Sequence, residues 1–112
     1  MIYLIITLFA AAAVLGLIVL LRWTRKVDGT ATVIYSHGIA AATGLGLLAW
    51  YAIQHPENYP QLSLILFVIG ALGGFYLFFV NLRTKAKPVG MGMVHALVGV
   101  AAFIALLFFA FT

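Results

Sequence analysis

The sequence predicts an all-α integral membrane protein, a four-helix up-down-up-down bundle forming one transmembrane domain over residues 1–112. Three observations predict it. Hydrophobic residues make up 66% of the chain and charged ones 7%, whereas a soluble domain carries about 25% charged residues. The mean hydropathy is +1.22, too apolar for a small fold, which leaves much of its chain in contact with solvent. The apolar residues also gather into four stretches, each near the roughly 20 residues that a helix needs to cross a hydrocarbon layer of about 30 Å.

The first span, Ile2 to Leu21, contains no charge. No basic stretch precedes it and no small-residue cleavage site follows, so it is expected to be an anchor and not a removed signal peptide. The second runs from Ala31 to Ile53, the third from Gln61 to Leu82, and the fourth from Val89 to Phe111. Lipid offers no partner to a backbone polar group, so each is expected to be helical. The breaks are marked by charges and Gly29 between Arg22 and Thr30, by two prolines and Asn58 between His55 and Pro60, and by Pro88, placed to begin the last helix. Connections this short predict antiparallel neighbours.

All six basic residues fall in the first and third connections: Arg22, Arg25 and Lys26, then Arg83, Lys85 and Lys87. The positive-inside rule makes residues 22–30 and 83–88 cytoplasmic and both termini external, in a bacterial inner membrane. Tyr3, Trp50, Tyr51 and Tyr59 then mark the outer interface and Trp23 the inner one. The cations flank apolar segments and form no continuous basic face, so nucleic acid is not an expected partner. The absence of cysteine excludes thiol–disulfide chemistry, thiolate metal sites and iron–sulfur clusters.

The two halves look alike. A shift of 58 residues (95 − 37) places His37 on His95, Gly16 on Gly74, Arg25 on Arg83 and Leu48 on Leu106. The pattern predicts a tandem repeat of two helical hairpins related by an axis along the membrane normal; similar composition in any two apolar hairpins is the plainer explanation.

Ionisable residues inside a bilayer are costly and mark functional sites. Both acidic residues, Asp28 and Glu57, lie in loops, which leaves His37 and His95. Each is about 8–10 Å inside the inner boundary at 1.5 Å per residue, on helices running the same way, so the imidazoles are level. On their faces, at four and seven residues on, stand Ala41 and Gly44, and Gly99 and Ala102. Small residues there either bring helices together or leave a slot for a flat group. Two level imidazoles beside a slot suit bis-histidine ligation of one haem b, with Arg25, Lys26, Arg83 and Lys85 within reach of the propionates. Such an iron has no open position, which points to single-electron transfer and away from an enzyme with its own substrate.

In this arrangement the chain resembles small four-helix bacterial membrane cytochromes b, in which parallel helices each offer a histidine to a b-type haem. The resemblance covers the whole chain as architecture, and as motif only His37 and His95 with their small neighbours. Several of those families bind two haems; His55, 18 residues after His37 (55 − 37), has no counterpart at the outer level of the fourth span, so one site is expected.

Other readings stand beside it. In the second, the histidines serve only as interhelical hydrogen-bond groups in a non-catalytic accessory or scaffold subunit of a larger membrane complex. Copper is a third: Met91 is four residues before His95 and shares its face, which suits Cu(I), although Met93 points away and Val33 replaces Met91 in the first half. His55 reads as an interfacial or capping residue. Small multidrug transporters match in length and span number only, since the first span has no carboxylate. Partners are lipid and either a membrane redox protein or a second copy.

Overall fold

The computed structural model describes all 112 residues and consists of four helices: α1 (Ile2–Thr24), α2 (Ala31–Gln54), α3 (Gln61–Thr84) and α4 (Val89–Phe111). All four are long and apolar enough to cross a membrane. Each is roughly 35 Å long at 1.5 Å per residue, and the molecule measures 44 × 23 × 21 Å. Of its 90 backbone hydrogen bonds, 78 lie within the helices. That is what a backbone without water requires.

Three helices continue past the ends of their apolar segments, α1 to Thr24, α2 to Gln54 and α3 to Thr84. Hydropathy measures the thickness of hydrocarbon, whereas a helix ends where backbone conformation turns. Lys26 (φ 58°) and Lys85 (φ 59°) are the two residues in the left-handed region, each just past a helix end. At the C-cap of α3 the Lys85 N–H donates to the Asn81 carbonyl at 3.0 Å, one of the ways orphan carbonyls of a last turn are satisfied. Helix α2 opens with the Thr30 hydroxyl accepting from the Val33 N–H at 3.3 Å. Pro88 caps α4, where its missing N–H costs nothing.

Helix α1 packs against α2 and α4, and α3 packs against α4 and α2; α1 and α3, like α2 and α4, stand diagonally with no close backbone approach. Across the first diagonal, the rings of Phe9 and Phe67 stack with centroids 3.7 Å apart and planes 5° from parallel. Phe9 joins Ile5, Leu48 and Leu106 in the buried core of one half of the bundle. The stack needs Gly44, since a side-chain carbon there would meet the Phe9 ring at 3.2 Å. Ser63, also buried, donates to the Ala102 carbonyl at 2.8 Å and ties α3 to α4.

Only 13 of the 112 residues are buried, while Leu17, Ile39, Leu72 and Leu97, one on each helix, are more than half exposed. A surface this apolar on every side is that of a chain solvated by lipid.

The aromatic residues divide. Tyr3 and Trp50 face outward, as expected of interfacial rings, but Trp23 does not. It is 7% exposed, with the benzo edge of its indole packed beside Gly92 of α4.

At the basic end, Lys87 Nζ lies 2.7 Å from Asp28 Oδ1, and Arg22 Nε donates to the Asp28 backbone carbonyl at 2.7 Å. One carboxylate thus links the first and third connections. The Lys87 ammonium holds the Asp28 carboxyl below its ordinary value of 3.8.

Two outcomes are expected. Phe9→Ala should destabilise the detergent-solubilised bundle by about 1–3 kcal/mol, measured by unfolding in mixed micelles. This is less than the loss in a soluble core, because lipid and detergent also solvate the unfolded helices. The Asp28–Lys87 link should persist from neutral pH down to the ordinary carboxylate value and be lost only as pH falls through the lower folded value. Amide exchange in residues 27–30 and 84–88 should rise only there, and Asp28→Asn should show the raised exchange at every pH.

Candidate functional site

His37 is the seventh residue of α2 and His95 the seventh of α4. Both side chains are half-buried and turn toward one another across the second diagonal of the bundle. Their ring centroids are 6.2 Å apart, with planes at 82°.

Two glycines make this possible. A side-chain carbon on Gly16 of α1 would lie 2.9 Å from His37 Cε1, and one on Gly74 of α3 would lie 3.1 Å from His95 Cε1. Each imidazole therefore rests against bare backbone of the helix beside it. Any larger residue at Gly16 would push His37 toward the bundle centre.

The His37 ring is also held by a hydrogen bond. Its Nδ1–H donates to the Ala12 carbonyl of α1 at 2.7 Å. A carbonyl can only accept, so Nδ1 carries the proton, and in the neutral ring Nε2 keeps its lone pair. Such a bond fixes tautomer and ring orientation in metal-ligating histidines. His95 Nδ1 is also buried, beside the Gly70 backbone, without a hydrogen bond of that geometry. A groove of about 100 Å³ between α3 and α4 opens beside it, lined by Ile69, Gly70, Gly73, Met91, Val94, His95 and Val98.

The separation of the two rings can be compared with what one shared metal ion requires. Two metal–nitrogen bonds of about 2 Å, plus about 1 Å from each nitrogen to its ring centre, place opposed imidazole centroids roughly 6–6.5 Å apart. The observed separation is within that range. No three His, Cys, Asp or Glu side chains gather anywhere in the molecule, so the two imidazoles are the only protein donors of that kind in the pair.

The other residues singled out by sequence are distributed as follows. Gly44 and Ala102 are buried, but the space beside Gly44 holds the Phe9 ring, and Ala102 offers its carbonyl to Ser63. Ala41 is half-buried and Gly99 opens to no neighbour within 4 Å. The small residues beside the imidazoles are instead Gly16 and Gly74. Their signal was present, since the same shift that aligns the histidines aligns these glycines, but helical spacing along α2 and α4 cannot reveal what a neighbouring helix presents.

Arg25, Lys26, Arg83 and Lys85 are exposed at the basic end of the bundle and form no ion pair. His55 is the C-cap of α2; its ring stacks on Tyr51 at 4.1 Å, and Nδ1 donates to the Tyr51 carbonyl at 3.0 Å. Asn81 donates to the Ala86 carbonyl at 2.8 Å and closes the loop after α3 without touching a histidine. Met91 shares the groove with His95, while Met93 is exposed.

Compared with known proteins, the chain matches no family profile, and no characterised protein or solved structure is significantly similar to it.

Gly16→Val should displace the His37 ring and break its bond to Ala12, whereas the same change at Gly46, which has no neighbour within 4 Å, should not. The imidazole Nδ1–H resonance of His37, shifted by a short hydrogen bond in the parent protein, reports the difference.

Proposed function

We propose that the protein is a membrane b-type cytochrome that carries single electrons through one haem held by His37 and His95. The supporting observation is the facing pair of imidazoles 6.2 Å apart, one with its Nδ1 proton committed to Ala12 and its Nε2 lone pair free. A haem with two imidazole ligands has no open coordination position and supplies one-electron transfer between its ferric and ferrous states. His37 and His95 would ligate it, Ala12 would orient the first ligand, and Gly16 and Gly74 would hold both rings in place. Arg25, Lys26, Arg83 and Lys85 stand at the end of the bundle nearer the histidines and would balance carboxylates directed that way.

The topology belongs to the same proposal. The helices alternate in direction, both basic connections face the cytoplasm of a bacterial inner membrane, and both termini lie outside. The chain is a tandem repeat with an offset of 58. Three contacts support this reading: Phe9 stacks on its own counterpart Phe67 (67 − 9), Gly16 and Gly74 (74 − 16) each back a histidine, and Thr30 and Pro88 (88 − 30) are the N-caps of α2 and α4.

The His37 bond to Ala12 favours a second reading as well. A histidine tying α2 to α1 is interhelical hydrogen-bond glue of about a kcal/mol, and the protein would then be an accessory or scaffold subunit paired with a larger complex or with itself. Copper held by His95 and Met91 is a third reading, supported by their shared groove.

A visible spectrum of protein purified from haem-replete cells separates them. Haem ligation should give sharp ferrous bands, lost in His37→Ala and in His95→Ala and kept in His55→Ala. A colourless sample, unchanged by added haemin, leaves the scaffold reading, and copper found by metal analysis in the same sample supports the third.

A further inference from the structure

Two side-chain polar atoms in the molecule are buried without a hydrogen-bond partner, His95 Nδ1 and Trp23 Nε1. The second belongs to no interaction described so far. An indole N–H is a donor only, and leaving a buried donor unpaired costs about 1–3 kcal/mol. Trp and Tyr in protein interiors ordinarily find a partner for their polar atom. At 7% exposure, Trp23 is among the most buried side chains in a molecule whose surface is otherwise open to lipid.

Its position is specific. Trp23 follows Gly16 by seven residues, so the two share a face of α1, with the indole about 10 Å nearer the basic end. Gly92, beside which the indole packs, precedes His95 by three residues and is one turn of α4 nearer the same end. The indole atoms nearest Gly92 are Cε3 and Cζ3, at 3.8 and 3.9 Å from where a side-chain carbon would stand, and they lie across the indole from Nε1. The N–H edge is therefore turned away from Gly92. Between the imidazole pair and the basic connections, the bundle thus holds a desolvated hydrogen-bond donor with nothing to donate to.

We propose that the Trp23 indole N–H is a hydrogen-bond donor for a carboxylate on the edge of the haem that His37 and His95 hold. This rests on the haem reading and adds to it an orientation. The edge bearing the propionates points toward the cytoplasmic end, where one carboxylate meets Trp23 inside the bundle and the exposed cations wait beyond. A carboxylate is the strong acceptor that such a site suits, because a charge-assisted bond is roughly twice as strong as a neutral one. Burial also keeps water from competing for the N–H.

The test loads the full-length protein in detergent with haemin or with haemin dimethyl ester, whose propionates are esterified, and follows transfer of each to an excess of apomyoglobin. Trp23→Phe should release haem about tenfold faster than the parent, while the ester should leave both proteins at similar rates. Equal haem release from parent and variant overturns the proposal. So does a variant that releases haem and ester faster by the same factor, since the indole would then act only by packing.

A second measurement does not depend on the variant folding. In Trp50→Phe protein, Trp23 is the sole indole. Its N–H vibration in ultraviolet resonance Raman should shift to the hydrogen-bonded position when haemin is added, and not when the ester is added. No shift with haemin overturns the assignment. Parent protein that takes up no haem in a bis-histidine state defeats the haem reading and this proposal together. Haem uptake with no effect of Trp23 defeats this proposal alone.

Discussion

A backbone placed in lipid has to satisfy its own hydrogen bonds, and every other feature of this protein follows from that demand. It accounts for the concentration of backbone bonds inside four long helices and for loops confined to the two ends. It also removes the usual driving force for packing, because lipid tails are as apolar as the side chains they surround. What remains is close contact. Small residues therefore stand where a large group is received: Gly44 under Phe9, Gly92 under Leu20, and Gly16 and Gly74 under the two imidazoles.

The same constraint makes the polar side chains of the interior informative. Thr7, Thr24, Thr43 and Thr84 each donate to a carbonyl three or four residues back in their own helix, as Thr43 does with Ile39 at 2.7 Å. Those bonds are local and need no tertiary explanation. The bonds between helices are few: Ser63 to Ala102 and His37 to Ala12. The first closes the α3–α4 contact in the hydrophobic half of the bundle. The second fixes a proton on one nitrogen of the ring and leaves the other nitrogen with a lone pair.

The two histidines differ in their surroundings. Ala12 receives the His37 proton at 2.7 Å, whereas Gly70, 58 residues further on (12 + 58), lines the groove beside His95 together with Gly73. The counterpart of Gly73 is Leu15 (73 − 58), a bulky side chain where the second half has none.

Membrane compatibility, the existence of four helices and the depth of both histidines were legible in the residues, because hydropathy and helical rise are properties of a segment by itself. Ile2 to Leu21 is apolar in any fold, and His37 and His95 are each the seventh residue of their helix whatever stands opposite. Only the tertiary structure decided how the helices are rotated and which faces meet. It put the Phe9–Phe67 stack in the space beside Gly44, set Gly16 and Gly74 against the imidazoles, chose Ala12 as the partner of His37, and turned Trp23 inward when its place near a span end suggested an interfacial ring. Rotation about a helix axis changes none of the composition that hydropathy reads, whereas the fit of one surface into another depends on side chains tens of residues apart.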